Sequence, residues 1–217
     1  MTKEKMSQDG AIPLAKPPVV RNALALSHEY VRKVVGSGDL VVDATAGNGH
    51  DTAFLAELAG PDGLVLAFDV QEDAIRRTRD RLETLCLLDR CRLFAEGHEL
   101  FGERLDGIAP GRPLAAVMFN LGYLPGADHA LGTKAPTTIA ALQQAMARLR
   151  PGGLATVALY YGGDSGFEER DAVLRFVESI DVHAFAVQKT EMVNSRSCPP
   201  IFLCIEKLSP GKVRPPA

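Results

Sequence analysis

The sequence predicts an α/β domain built on a mainly parallel sheet with helices on both faces. Three observations carry that expectation. Short apolar runs alternate with segments of helical period along most of the 217 residues, as happens when strands are joined through helices that cover a parallel sheet. The last two apolar runs have no helix between them, which predicts an antiparallel hairpin at one edge. Residues 40–49 read LVVDATAGNG: a strand, a loop of small residues and a helix start. In open α/β sheets, ligands bind beside such loops at the carboxyl ends of strands.

The elements follow in order. Residues 1–18 are polar and then proline-rich, and read as a loose tail; 209–217 read likewise, and 19–208 as one domain. Asn22–Val35 has apolar residues at 23, 24, 26, 30, 31, 34 and 35, a helical period, ended by Gly36-Ser37-Gly38. Leu40–Asp43 is the first strand, and a helix follows over Asp51–Ala59. Gly60-Pro61-Asp62-Gly63 is a turn, and Leu64–Val70 the second strand, with Asp69 at its end. A charged amphipathic helix spans Glu72–Leu87, and a short third strand Arg92–Ala95. The fourth strand, Ala115–Phe119, runs into Asn120 and a long polar loop, Leu121–Ala135. Pro136–Leu149 reads as a helix closed by Pro151-Gly152-Gly153, and Leu154–Tyr161 as the fifth strand. A helix over Glu168–Ile180 precedes the closing strands, Ala184–Met192 and Ile201–Glu206. Seven strands with a terminal hairpin match the class I methyltransferase plan.

Composition narrows the function classes. A net charge of −3 does not announce the strongly basic surface of a general nucleic-acid binder, although a local basic patch would suffice. Cys86, Cys91, Cys198 and Cys204 show no C-x-x-C spacing and read as reduced thiols. No apolar run reaches the ~18 residues of a membrane span, and the first residues lack the apolar core of a signal peptide. A cytoplasmic protein with no membrane partner is the expectation.

The 40–49 loop lacks G-x-G-x-x-G and G-x-x-x-x-G-K-[ST], so it is neither a dinucleotide fingerprint nor a P-loop. Asp43, followed by Gly47 and Gly49, suits a ligand with a cationic amino group better than a pyrophosphate. S-adenosylmethionine (SAM) is such a ligand; a helix-capping aspartate is the plainer alternative. Asp69 ends the next strand, where an acid accepts from ribose hydroxyls, and capping is again the alternative. His98 lies after the third strand, where an adenine contact or a surface histidine is expected. It has no partner at metal-ligand spacing, so no metal site is expected.

Asn120-Leu121-Gly122-Tyr123-Leu124-Pro125 follows the fourth strand, above the place where a transferred methyl would sit in this topology. An amide oxygen and neighbouring carbonyls accept hydrogen bonds from an amine and orient its lone pair. Tyr123 would wall the pocket. In the long loop beyond, Asp128 or His129 suits proton handling, and Thr133 or Lys134 a phosphate. Tyr161 and Arg196 suit base stacking, and Arg196 or Lys189 phosphate contact.

On these segments the chain resembles a bacterial rRNA-methylase family. Members of that family are associated with methylation of 5-aminomethyl-2-thiouridine at the wobble position of transfer RNA. The resemblance runs from about Asn22 to Lys207. It rests on DATAGNGHDT (43–52), FDVQ (68–71), GHE (97–99), FNLGYLPGADH (119–129), Thr137-Thr138, PGG (151–153), YYGGDSGFEE (160–169) and PPIFLCIEK (199–207). The FNLGYLPG stretch is the most specific. The resemblance implies cofactor contacts from Asp43, Thr45, Gly47, Asn48, Gly49, Asp51, Thr52, Asp69, Gln71, His98 and Asn120. It implies catalysis around Asn120, Leu121, Gly122 and Tyr123. Substrate contacts would come from Tyr123, Pro125, Asp128, His129, Lys134, Tyr161, Asn194 and Arg196. The chain departs from the family pattern at Gly162-Gly163, where Gly-His is usual, and at Asn194-Ser195, where Asn-Gln is usual. Both departures lie on the expected substrate rim.

The resulting expectation is a SAM-dependent N-methyltransferase acting on the anticodon stem-loop of a transfer RNA. A homodimer would enlarge its grip. Methylation of ribosomal RNA or of a small amine, and a non-catalytic SAM-binding RNA module, are the rival expectations. A nicotinamide-dependent oxidoreductase is disfavoured by the loop.

Overall fold

The computed structural model describes residues 19–122, 133–161, 166–195 and 197–210. Among the described residues six helices alternate with seven strands, all but α4 where the sequence predicts an element: α1 (Ala23–Val34), β1 (Leu40–Asp43), α2 (His50–Ala59), β2 (Leu64–Phe68), α3 (Glu72–Thr84), β3 (Cys91–Phe94), α4 (Phe101–Ile108), β4 (Leu114–Leu121), α5 (Ala135–Arg148), β5 (Leu149–Leu159), α6 (Gly166–Glu178), β6 (Phe185–Thr190) and β7 (Ile201–Lys207). They form one sheet in the order β3-β2-β1-β4-β5-β7-β6. Only β7 runs antiparallel to its neighbours β5 and β6. This is the class I methyltransferase plan.

The strand order places the site. It reverses direction between β1 and β4, and such a switch point opens a crevice at the carboxyl ends of the strands. β1 and β4 are parallel, with Asp43 beside Met118. Asp43, Asn120 and the ends of β2 and β5 therefore share one rim. The β6–β7 connection joins that rim, because Ile201 pairs with Leu159.

Both faces are closed by apolar packing. One core cluster joins Leu66, Phe68, Phe101, Phe119, Leu121 and Leu203; the other joins Val31, Leu55, Val65, Met118 and Phe202. The inner strands are buried on both faces, so they read as unbroken apolar runs rather than alternating ones.

α1 is pinned at two points. The Ser27 and Thr156 hydroxyls share a buried 2.5 Å bond to β5. At the helix's end Arg150 grips Asp39 with two bonds (2.6 and 3.0 Å) and the Val34 carbonyl with a third (2.7 Å). A bidentate guanidinium–carboxylate pair fixes orientation as well as distance.

Several boundaries shift. α4 is an element the sequence does not predict; its eight residues include Gly102 and Gly107, which lower helix propensity. A Cβ at Gly102 would come 2.2 Å from Gln144 Oε1, so the Gln144 side chain would have to move to admit one. β2 ends at Phe68, so Asp69 lies just beyond the strand. β5 starts at Leu149, so Pro151-Gly152-Gly153 sits within an irregular strand entry, where the β4–β5 register shifts between Leu114 and Ala116. β4 extends through Leu121, which shortens the following loop. Cys91 and Cys204 are buried, while Cys86 and Cys198 are exposed. Among the described residues no helix is long and apolar enough to cross a membrane.

Candidate active site

Asp43 is fully buried at the end of β1. Its two oxygens each take one bond, from the Thr45 amide (3.1 Å) and from the Thr52 hydroxyl (2.6 Å). Neither Asp43 nor Asp69 caps a helix: the N-caps of α2 and α3 are Gly49 and Gln71. The capping alternative fails for both.

Burial pushes the Asp43 carboxyl up to about 7, and the charges of Asp51 and Asp69 add to that rise; Thr52 and Thr45 oppose it. Three carboxylates thus act on one small volume at the strand ends. Such a place attracts a cation and repels a pyrophosphate.

Asp69 ties the glycine loop to β2. It accepts from the Gly47 amide and the Gln71 amide, each at 2.9 Å. Two of its roughly four acceptor positions are used, which leaves capacity for a ligand's hydroxyls. Gly49 sits at φ +76°, and a Cβ there would come 2.8 Å from the Thr78 Cα. Only glycine fits this closely packed left-handed position.

Thr45 connects β1 to β4, its hydroxyl accepting from the Asn120 amide at 2.7 Å. The Asn120 side chain donates its Nδ2 hydrogen to Asp51 Oδ2. An ionised carboxylate only accepts, so this bond fixes which way the amide faces. Asn120 Oδ1 is then left buried and without a partner among the described residues.

His98 is the second such case. Its Nδ1 meets the Ala44 carbonyl at 3.2 Å, and a carbonyl accepts, so Nδ1 carries the proton. Burial holds the ring's pKa below its ordinary value, against opposing pulls from Glu99, the Ala44 bond and Asp69. The ring is therefore neutral, and its buried, unpartnered Nε2 is an acceptor. Its edge packs on Phe119, with the ring centroids 5.8 Å apart. A buried polar group without a partner costs about 1–3 kcal/mol, and two at one rim call for a ligand that brings N–H donors.

The Leu121 and Gly122 carbonyls, expected to help hold an amine, are already engaged. They accept from the Tyr160 amide (3.1 Å) and the Thr133 amide (3.3 Å). Leu121's side chain belongs to the core. Gly122, at φ +141°, would bring a Cβ within 3.1 Å of Tyr160. The Gly122 amide donates to the Thr133 hydroxyl (3.0 Å), which donates to Glu169 (2.8 Å); Thr138 donates to the same carboxylate (2.8 Å). Gly122 and Thr133 are thereby clasped together, with Glu169 buried behind them.

The remaining expected residues scatter. Tyr123, Pro125, Asp128, His129 and Arg196 lie outside the described residues, as does Gly162-Gly163. Asn48 is exposed on the outer flank of its loop and lines a groove of about 530 Å³ with His50, Arg77, Asp80 and Arg81. Asp43, Asp51 and Asn120 do not line that groove. Lys134 is the exposed N-cap of α5. Tyr161 packs edge-on to Phe167, with Arg170 5.0 Å above its ring. Asn194 and Lys189 are exposed. Tyr160 carries no assigned role in the sequence beyond its place in the YYGGDSGFEE stretch; partial burial and the charge of Asp51 raise its phenol pKa.

A family model described as "Putative rRNA methylase" matches residues 65–206. The chain belongs to this family. A chloroplastic tRNA (mnm5s2U34)-methyltransferase of Arabidopsis thaliana is 33% identical over 199 residues, covering 86% of this chain and 70% of the relative. A putative rRNA-methylase structure from Clostridium thermocellum is 49% identical with a TM-score of 0.84, covering 88% of this chain and 100% of that one. A putative methyltransferase of Streptococcus mutans, solved in complex with SAH, is 37% identical with a TM-score of 0.78, over the same shares. Family and fold together make this rRNA-methylase family member a SAM-dependent methyltransferase.

The residues present fit that cofactor. A carboxylate cluster suits its cationic centres, Asp69 keeps acceptor capacity for hydroxyls, and two buried acceptors have no partner among the described residues.

A pH dependence follows from Asp43. In the free protein its folded value is raised, so its contribution to stability is full below the ordinary carboxylate range. That contribution is lost as pH rises through about 7. A cationic ligand favours the charged carboxylate, so SAM binding works against the bound proton. Calorimetric SAM affinity should therefore weaken as pH falls below about 7, approaching tenfold per pH unit. Asp43→Asn should flatten that slope.

Proposed function

We propose that the protein transfers a methyl group to the exocyclic amine of 5-aminomethyl-2-thiouridine at the wobble position of a transfer RNA. The observation that carries this reading is Asn120 Oδ1, a buried acceptor with no partner among the described residues, at the carboxyl end of β4. The activity named for the Arabidopsis relative supplies the nucleotide.

SAM, when bound, supplies an electrophilic methyl group on a sulfonium. Asn120 Oδ1 accepts one N–H of the amine, which leaves the nitrogen lone pair directed away from that bond. Asp51 keeps the Asn120 amide from turning over. Asp43 would hold the methionine ammonium, Asp69 the ribose hydroxyls, and His98 Nε2 would accept from the adenine amino group. Thr45 and Thr52 hold Asp43 and Asn120 in register. A primary alkyl amine is mostly protonated at neutral pH, as lysine is, so the site takes it in the neutral form. Proximity and orientation supply most of the rate.

On the substrate side, Tyr161 with Arg170 offers a flat cationic surface suited to a base, and Lys134 and Asn194 lie exposed for backbone contacts. Tyr123, Pro125, Asp128, His129 and Arg196 complete this reading from the sequence.

Methyl transfer to separated RNA classes tests it. Label should enter transfer RNA and not ribosomal RNA. Label in ribosomal RNA would favour the second reading, which the family's description suggests.

A further inference from the structure

Asn120 is held by a chain of contacts that begins on a different element of the fold. Asp51 Oδ2 takes the Asn120 amide hydrogen, and Asp51 Oδ1 lies 2.5 Å from His28 Nε2. His28 sits on α1, far from the strand ends in sequence. Its ring stacks on Phe54, with centroids 4.0 Å apart and planes within 7°. Arg32 lies 4.7 Å from the same Phe54 ring. The Asp51 side chain is 8% exposed and that of His28 24%.

The position of α1 is rigid where this matters. Ser27, the residue before His28, is bonded to Thr156 in the core, and Arg150 anchors the helix's end. The imidazole is thus fixed by stacking on one side and by helix anchoring on the other.

We infer that His28 is a positioning residue for methyl transfer: through Asp51 it holds the Asn120 amide with Oδ1 facing the substrate. This rests on the reading that Asn120 accepts from the substrate amine. A carboxylate accepts only, so Nε2 of His28 carries a proton and donates it. With Oδ1 of Asp51 engaged by His28, the carboxylate is held with Oδ2 toward the Asn120 side-chain amide. An asparagine flipped by half a turn would set its oxygen against the Asp51 carboxylate and turn a donor toward the amine. Without His28, Asp51 can rotate, and Asn120 loses the contact that selects its orientation. A support of this kind acts on turnover rather than on cofactor affinity, because the atom it orients meets the substrate.

The test has two arms. In protein carrying 15N-histidine with SAH bound, a low-field proton on Nε2 should assign to His28. It should vanish in Asp51→Ala. In turnover with transfer RNA lacking the wobble methylation, His28→Phe keeps the stack on Phe54 and removes the donor. It should lower turnover by ~10- to 100-fold while SAH affinity stays within about twofold. His28→Gln restores a donor and should recover much of the loss, which also controls for folding. In an Asn120→Ala background, His28→Phe should cost nothing further.

Absence of the Nε2 proton overturns the inference, whatever the turnover. So does wild-type turnover in His28→Phe when Asn120→Ala is slow; the reading of Asn120 then survives. An equal loss of turnover and SAH affinity, or an undiminished loss in the Asn120→Ala background, overturns it as well. Wild-type turnover in Asn120→Ala would overturn both readings together.

Discussion

Asp43→Asn is expected to weaken SAM binding by ~10- to 100-fold, the worth of a charge-assisted bond, while leaving the free protein as stable or more stable above pH 7. The two effects have one cause. A fully buried carboxylate beside Asp51 carries an uncompensated charge in the free protein. Replacing it with a neutral amide removes that cost and keeps an acceptor for Thr45 or Thr52. Sites selected for binding commonly sacrifice stability in this way. Asp43→Ala should abolish measurable binding, but it also strands the buried Thr52 hydroxyl and the partly buried Thr45 amide and so should lower the melting temperature. Calorimetry and thermal melts on both variants separate the effects. Unchanged SAM affinity in Asp43→Asn would remove Asp43 from the cofactor site.

Asn120→Ala should lower turnover by ~10²- to 10³-fold, the range for removing one group that acts on the reacting atoms, with a much smaller change in SAM affinity. The variant also leaves one Asp51 oxygen without its partner. Asn120→Asp tests the polarity separately: it would set two carboxylates against each other and should be at least as slow. Equal losses in turnover and in SAM affinity would mean that Asn120 serves the cofactor and not the amine.

Most of the frame was legible because it follows from short-range rules. β1, its small-residue loop and α2 fall where an apolar run, a Gly-rich turn and a helical period place them. The terminal hairpin follows from two strands with no helix between them. α4 is not legible in the sequence because two glycines interrupt a short segment, and its helix is stabilised by packing of Phe101 and Leu105 rather than by propensity. The sequence places the start of β5 too late because Pro151-Gly152-Gly153 reads as a stop, whereas the sheet absorbs it as an irregular strand entry.

The site was legible by position but not by partnership. Asp43, Asp69, His98 and Asn120 all stand at the strand ends, as their places after apolar runs predict. That Asp51 couples Asn120 to His28 could not be read, since the contacts span 69 and 23 residues. His28 lies on an amphipathic helix, where a histidine looks like any half-exposed polar residue. The carbonyls of Leu121 and Gly122 looked free because the sequence does not show that Tyr160 and Thr133 would use them. Tyr160 and Glu169 were equally hidden, their roles arising from contacts between separate elements.

The most direct measurement is methyl transfer from labelled SAM to transfer RNA of a strain lacking the wobble-aminomethyl methylation, followed by nucleoside mass analysis. The account predicts that 5-aminomethyl-2-thiouridine gains one methyl group on its amine nitrogen, and that no other nucleoside does. Methyl gain on a different nucleoside, or none while SAM remains bound, would contradict it.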